Sequence, residues 1–568
     1  MIPKLSTLDV AGRARVAATL ILALVAGWAG WHSLRPVGAA PPMTWSVSVG
    51  SLGACTTADP NCATIGAAVA AAAPSGDTIN VAAGTYNEYD ITVDKNLIIN
   101  GAGANTTIVD AQQMGRVFDI DCPIPANPQG SLVVNISGLT IKNGFTGGMV
   151  INSNHSSKSR ATAKAAGLAP AGLGTGGIDG GGIYVSSCAT LNLTFCTVSD
   201  NATPAGGLVS PPLQPQKVSQ RFAHIVRSLA AIQQQPPGAQ GGNGGGIYNG
   251  GTLVMRSCTV SNNRTGLGAN SYLTGGNGGG GGGIYSLGAL DVKNSTITNN
   301  RTGRGGDLIL SCIPAAPRGD TAAPLVNPTP GSGGEGGGIS NHGTLRLGNS
   351  TIADSETGPG GEFIPCPQRP VRSEDGTVAP SGMVVAPGGN GGGVFSGLAQ
   401  MTAISTIIAN NRVSQGGSGP DIFTDTAVMS QGYNLVGIAD AMDGFTQPTD
   451  QKGTSTAPLD PVLGPLMDNG GPTPTMALLA NSPAVDRGIV PCDALDAKRN
   501  KSPLACGLDF DQRGPGFPRT VDLPNANAAG GDGTDVGAFE VQTPFPCFPD
   551  VTPPVIVCPG SLTKFTDA

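Results

Sequence analysis

Hydrophobic residues recur along this chain in a pattern that belongs to neither one long helix nor one closed globular core. Five segments share a glycine run, a short apolar pair, a turn, and an alternating strand that ends in polar residues. They are GGGIYVSSCATLNLTFCTVSDN from Gly180, GGGIYNGGTLVMRSCTVSNN from Gly244, GGGIYSLGALDVKNSTITNN from Gly281, GGGISNHGTLRLGNSTIADS from Gly336 and GGGVFSGLAQMTAISTIIANN from Gly391. The step from the first apolar residue to the later one is thirteen residues in four copies: Ile247 to Val260, Ile284 to Ile297, Ile339 to Ile352 and Val394 to Ile407. In the first copy, Ile183 to Val198, it is two longer. Stretches such as TLVMRSCTV and TLRLGNSTI alternate apolar and polar residues with the period of two that marks half-buried strands. One such unit cannot enclose a core, so the units must stack. Each then pairs its strands with those of its neighbours at about 4.8 Å per coil around a thin aliphatic interior. Ile247, Ile284, Ile339 and Val394 are thereby predicted to share one interior column.

The same plan extends upstream. DTINVAAGTY, ITVDKNLIINGAG, TTIVDA and LVVNISGLTIKNG read as short strands punctuated by glycine between Asp77 and Gly144. Before them, NCATIGAAVAAAAPSGD places Ile65, Val69 and several alanines at helical spacing, ended by Pro74 and Gly76, where a helix would cap the open first coil. Gly-, Pro- and Ser-rich insertions of varying length, at 146–175, 204–240 and 303–331, fall at one recurring place and are expected to be exposed loops. Within one of them, VSQRFAHIVRSLAAIQQQ from Val218 sets Phe222, Ile225, Val226 and Leu229 on one helical face, suited to docking on the stack. Asn201, Asn262, Asn263, Asn299, Asn300, Asn410 and Asn411 are of the type that accepts left-handed turns.

Composition agrees with a thin stack. Glycine supplies 88 of 568 residues, charged residues only 12% and aromatics 4%, which disfavours a thick globular core built on large rings. With 31 basic against 38 acidic residues and no polybasic run, there is no electrostatic footprint for nucleic acid. Lys4, Arg13 and Arg15, then the apolar run from Val16 to Trp31, then Val37, Gly38 and Ala39 follow the order of a signal peptide, assigned to residues 1–39. The apolar run is short of the ~20 residues of a spanning helix, so membrane contact would need an uncleaved signal or an external anchor. All 12 cysteines lie beyond Ala39, and disulfides are the expectation for an exported chain. Close spacing suggests Cys55 with Cys62, Cys188 with Cys196, Cys492 with Cys506, and Cys547 with Cys558. The secreted space or the cell surface is the predicted location.

On these residues the chain, from about Ala54 to Gly437, resembles the right-handed parallel β-helix of pectin-lyase-like proteins, close to the glycine-rich repeats of bacterial polymorphic outer-membrane proteins. The fold class implied is all-β: a β-helical solenoid over 54–440 with an N-terminal capping helix and an irregular C-terminal block. GYNLVG at Gly432, LGPLMDNGGPTPTMALLANSPAVDRG from Leu463, DQRGPGFPR from Asp511 and TDVGAFE from Thr534 resemble the terminal block of secreted choice-of-anchor proteins, here 459–540. That block is expected to pack on the last coils and shield their open edge. DVTPPVIVCPG from Asp550 is similar to the first strand of a hyalin repeat, which 550–568 would begin without completing.

The resemblance implies a fold used by polysaccharide lyases and hydrolases, whose chemistry needs clustered carboxylates, calcium or bases along one strand face. Asn192, Arg256, Asp291, Lys293 and Arg346 form no row of carboxylates, and His342 occupies a turn position that Gly250 fills in another copy. No catalytic residue is therefore assigned. Asp486, Asp509, Asp511, Arg513, Asp535 and Glu540 are the richest polar group; Asp509, Asp511 and Asp535 are the candidates for calcium, although the spacing is no EF-hand and pairing around Arg513 is the preferred role. No other cofactor is implied. The leading reading is a non-catalytic scaffold or adhesin-like protein that meets glycans or cell-surface proteins; the alternative is a lyase or hydrolase acting on acidic polysaccharide.

Overall fold

The computed structural model describes residues 41–74, 76–122, 132–148, 177–207, 237–271, 273–309, 329–364, 385–439, 444–490 and 509–543. The signal segment, the helix expected from Val218 and the hyalin-like segment lie outside them, as do Cys492, Cys506, Cys547 and Cys558. Three parallel sheets of eleven, ten and eight strands run side by side, and each coil gives one strand to each in turn. One coil shows the plan: Thr252–Arg256 enters the first sheet, Thr259–Ser261 the second and Ile284–Ser286 the third. This is a right-handed parallel β-helix. Its stack begins at strand Thr44–Val47, before the expected boundary at 54, and runs to Gln451–Lys452.

Register makes the core. Ile183, Ile247, Ile284, Ile339 and Val394 pair in sequence along the third sheet, and each is fully buried. Val198, Val260, Ile297 and Ile352 do the same in the second sheet. The fifth copy departs from the thirteen-residue phase, because Ile352 pairs with Ile408 and Ile407 pairs with Thr351. One extra residue in the turn at 397–400 turns Ile407 outward, onto the face where the other copies carry threonine. At the N-terminal end, helix Ile65–Ala71 buries Ile65, Ala68 and Val69, with Thr64 as its cap. The Glu88 carboxylate accepts from the first two helical amides, Ile65 N at 2.7 Å and Gly66 N at 2.8 Å, a favourable place for negative charge.

Polar columns follow the same register. Asp200, Asn262, Asn299, Asp354 and Asn410 take the left-handed turn, with φ between 53° and 62°. Their neighbours Asn201, Asn263, Asn300 and Asn411 do not; they point inward as a buried ladder. Asn263 Oδ1 accepts from Asn201 N and Nδ2 at 3.0 Å, while Asn263 Nδ2 donates to Val198 O at 3.0 Å and to Asn300 Oδ1 at 3.0 Å. Beyond Ser355 the ladder continues through Asn411 to Asp421, whose Oδ1 accepts from Asn411 N and Nδ2 at 2.9 Å. Each amide closes buried backbone groups that the corner would leave unpaired.

The glycine-rich flanks of the insertions are not exposed loops. They form a second, buried stack beside the coils: Gly279 N donates to Gly266 O, Gly334 N to Gly303 O and Gly389 N to Gly358 O, at 2.9 to 3.0 Å. A Cβ at Gly303 would lie 1.8 Å from Gly266 O, and one at Gly306 would lie 2.0 Å from Ala269 O. Backbones this close exclude every side chain, which accounts for the glycine content. A column of threonines ties this layer to the helix. Thr265, Thr302 and Thr357 donate through Oγ1 to Gly279 O, Gly334 O and Gly389 O, and accept from Gly303 N, Gly358 N and Ser414 N.

The terminal block opens with the antiparallel pair Leu463–Met467 and Thr475–Leu478, and the rest is irregular. As expected it packs on the last coils, where Ile407 and Leu435 join its core and Gln451 Nε2 donates to Pro483 O, and it also extends back lengthwise along the outer face of the second sheet. Gln512 bonds Thr259 and Thr296, at 2.8 and 2.6 Å, Ala538 N donates to Thr351 Oγ1, and Ile407 packs with Leu478, Val485 and Val536. Thr197, Thr259, Thr296 and Thr351 open four successive strands as a column of hydroxyls, and the block reads the last three with its own polar groups.

Cys55 and Cys62 are joined as expected, but Cys188 pairs with Cys122, not Cys196. The strand Ala189–Thr194 runs between Cys188 and Cys196; at about 3.3 Å per residue it carries them some 20 Å apart, while the pairing of Val185 with Ile120 brings Cys122 and Cys188 to neighbouring coils. Cys196 and Cys258 are buried free thiols stacked in register. Peptide mapping under non-reducing conditions should recover a Cys122–Cys188 cross-link and alkylate Cys196 and Cys258 only after denaturation; a peptide linking Cys188 to Cys196 would contradict the register. Asn263→Ala strands the carbonyl of Val198 and two donors of Asn201, so thermal melting should show a loss of about 2–3 kcal/mol. Gly306→Ala should lower the melting temperature sharply, whereas Gly397→Ala, whose Cβ would meet nothing closer than 3.5 Å, should leave it nearly unchanged.

Candidate functional site

At the corner that follows the second sheet, each coil presents two outward residues in sequence, separated by the inward residue of the buried ladder. The first column is Asn262, Asn299, Asp354, Asn410; the second is Arg264, Arg301, Glu356, Arg412, held in register by parallel bridges from coil to coil. Between these columns lies a polar cleft of about 420 Å³ lined by Asn262, Asn299, Arg301, Asp354, Glu356 and Arg412 among others. The left-handed turn sets the asparagines outward, and the bridge residue after the buried amide returns the chain to the surface. Arg301 and Glu356 form an ion pair across adjacent coils, with side chains 69% and 33% exposed. An exposed pair of this kind contributes at most about 1 kcal/mol to stability and is easily exchanged for a ligand. Partial burial pushes the Asp354 carboxyl above its ordinary value, and Arg412 draws it back. Guanidinium groups at this spacing offer planar paired donors to anionic oxygens, and the amides offer both donors and acceptors to hydroxyls.

None of these residues was a candidate by sequence. The signal was present all the same: the residue after the closing polar pair reads Arg, Arg, Glu, Arg in four successive copies, at Arg264, Arg301, Glu356 and Arg412. Among the residues considered for a catalytic row, Asn192, Asp291 and Arg346 fall in one column on the outer face of the first sheet, and Arg256 and Lys293 in another. They lie away from the second-sheet corner that forms the cleft. His342 sits in a turn, as expected. Its ring lies between Tyr285 and Phe395, with centroids 5.0 and 5.6 Å away, and its Nε2 is 2.8 Å from Glu335 Oε1. It fills the place that Ser340 leaves in a ladder of Tyr184, Tyr248, Tyr285, Phe395 and Phe423. Those rings stack on one another along the helix axis, so their faces are covered and only edges meet solvent. They are not a platform for sugar rings.

The calcium candidates are placed apart in function. Asp509 is exposed. Asp511 is buried, with Oδ1 accepting from Arg513 N and Oδ2 from Glu540 N and Arg513 Nη2. Arg513 in turn lies between the rings of Phe517 and Phe539, 4.0 and 3.8 Å from their centroids. Asp535 accepts from Asp486 N and Val541 N at 2.8 and 2.7 Å. Pairing around Arg513 is thus an internal clamp of the terminal block. Among the described residues no group of three His, Cys, Asp or Glu side chains is arranged to hold a metal.

No protein family matches the chain, and no curated protein matches it. Among solved structures it is similar at 11% identity to ORF18 of Geobacillus virus E2, over 64% of this chain and 55% of that one, with a TM-score of 0.23. It thus spans little more than half of that protein's length. It is also similar to pectin methylesterase as a mutant bound to a hexasaccharide (12% identity, 71% of this chain and 95% of that one, TM-score 0.22) and in a second hexasaccharide complex (11%, 73% and 93%, 0.22).

Buried carboxyls give the terminal block a pH dependence of definite sign. Burial pushes Asp535 up to about 7 from an ordinary 3.8, and burial with the Asp535 charge nearby pushes Glu540 well above its usual range. Asp421, at the end of the asparagine ladder, is pushed up to about 6 by burial. Asp421 and Asp535 each bind their proton more tightly folded than unfolded, so their stabilising effect is complete below about 3.8 and is lost as pH rises through about 6 and about 7; Glu540 acts with the same sign. The melting temperature should therefore be higher at pH 5 than at pH 8; a profile rising from pH 5 to pH 8 would count against these burials.

Proposed function

We propose that this chain is a secreted or cell-surface β-helical scaffold that holds acidic glycans along the arginine cleft and does not turn them over. The observation that carries this reading is the register column Arg264, Arg301, Glu356, Arg412 beside a row of outward asparagines. Three guanidinium groups on one line suit carboxylate or sulfate groups of a linear chain, and the asparagines suit its hydroxyls. Both carboxylates of the cleft have a cation beside them: Glu356 pairs with Arg301, and Asp354 lies within the influence of Arg412. Export is supported by two disulfides, which form and persist in oxidising compartments. Among the described residues no helix is long and apolar enough to cross a membrane.

The raised Asp354 carboxyl next to Glu356 is the feature that favours the alternative, a lyase or hydrolase of acidic polysaccharide. One set of measurements separates the two. Pectate, alginate, hyaluronan and chitin are incubated with the purified protein, and both retention and new unsaturated or reducing ends are scored. Acidic chains should be retained without cleavage, and Arg301→Ala with Arg412→Ala should weaken retention about tenfold, as expected for losing charge-assisted hydrogen bonds. Reproducible release of new ends would establish the enzyme.

A further inference from the structure

The order of charges along the cleft says more than its net sign. Successive coils present Asn262 with Arg264, Asn299 with Arg301, Asp354 with Glu356, and Asn410 with Arg412. One coil rises about 4.8 Å, close to the length of one sugar ring in an extended chain. A glycan lying parallel to the helix axis therefore meets one coil per ring. Over the last three coils it meets an amide and a guanidinium, then two carboxylates, then an amide and a guanidinium again. An acidic sugar fits the first and third of these positions and is repelled from the second. A neutral sugar fits the second, since its hydroxyls donate to carboxylate oxygens.

We infer that the cleft selects linear glycans in which acidic residues alternate with neutral ones, over chains in which every residue is acidic. This rests on the reading of the cleft as a glycan site and adds the periodicity of its ligand. The Arg301 to Glu356 ion pair agrees with it. An acidic ring that takes Arg301 in exchange for this exposed pair leaves the Glu356 carboxylate free to accept from the hydroxyls of a neutral ring at the middle position. Along the same column the coil before Arg301 carries Arg264, so two consecutive acidic rings are accommodated only at that end.

The test is a binding titration of the full chain, at low and moderate salt, against size-matched hyaluronan, chondroitin sulfate, polygalacturonate and neutral chitin oligosaccharides. Hyaluronan chains alternate acidic and neutral rings, whereas chondroitin sulfate, whose hexosamine carries a sulfate, and polygalacturonate bear a negative charge on every ring. Hyaluronan should bind at least about fivefold more tightly than chondroitin sulfate or polygalacturonate, the ratio expected for one like-charge contact at the middle coil. Asp354→Asn with Glu356→Gln should raise polygalacturonate affinity and erase that ratio; both side chains are at the surface, and circular dichroism confirms the fold. Equal or tighter binding of polygalacturonate by the unaltered protein overturns the inference and leaves the glycan site standing. Failure of every acidic chain to bind, or binding indifferent to Arg301→Ala with Arg412→Ala, overturns the site itself.

Discussion

Every feature of this molecule depends on in-register hydrogen bonding between successive parallel coils. A parallel ladder places residue upon equivalent residue, so a repeat in sequence becomes a column in space. Isoleucines then fill the interior, asparagines make a buried ladder, threonines line the second sheet and tyrosines stack on the third. A single unit would bury almost nothing. The stability of the whole lies in neighbour contacts, as in other one-dimensional assemblies. It also makes register the most sensitive property of the chain, because a slip of one residue exchanges inside for outside. The extra residue in the turn at 397–400 shows the rule at work: it moves Ile407 outward, and an apolar part of the terminal block covers it.

Two kinds of surface are produced by this stacking, and they have different fates. The outward threonines of the second sheet are regular, small and polar, and they are buried: Thr259, Thr296 and Thr351 are at most 2% exposed beneath the terminal block. Glycines of the insertion flanks are covered as well, by one another, at distances that leave no room for a side chain. The corner between these two covered regions stays open. There the left-handed turn and the buried amide thrust pairs of polar side chains outward, and charge accumulates along the axis in an order that is a property of the repeats and not of any one residue. The terminal block serves the stack from its flank, with Arg513 clamped between two aromatic rings and an aspartate.

Much of the coil was legible in the residues alone. The phase of the apolar pairs, the short alternating strands and the glycine runs determine a stacked parallel solenoid, because no other arrangement buries units of that length. Ile247, Ile284, Ile339 and Val394 share a column for that reason, and Ile65 and Val69 cap the first coil because the helix is amphipathic and the first edge is open. The charged positions after each polar pair were also written in the repeat, but a charge carries no period of its own, and without the corner geometry nothing distinguishes a cleft from a solvated face.

What tertiary structure alone decided are the contacts between residues far apart in sequence. Cys188 is eight residues from Cys196 and joins Cys122, 66 residues away, because an intervening strand separates the near pair while parallel register unites the distant one. The glycine-rich flanks read locally as loops, since glycine frees the backbone; it is their mutual close approach that makes them a packed layer. Gln512 finds Thr259, 253 residues before it, only because the threonine column exists once the coils are stacked. Local pattern determined which side of each strand faces inward, through the period of two; which outward faces are covered, paired or left open to a ligand depended on parts of the chain that meet only after the stack has formed.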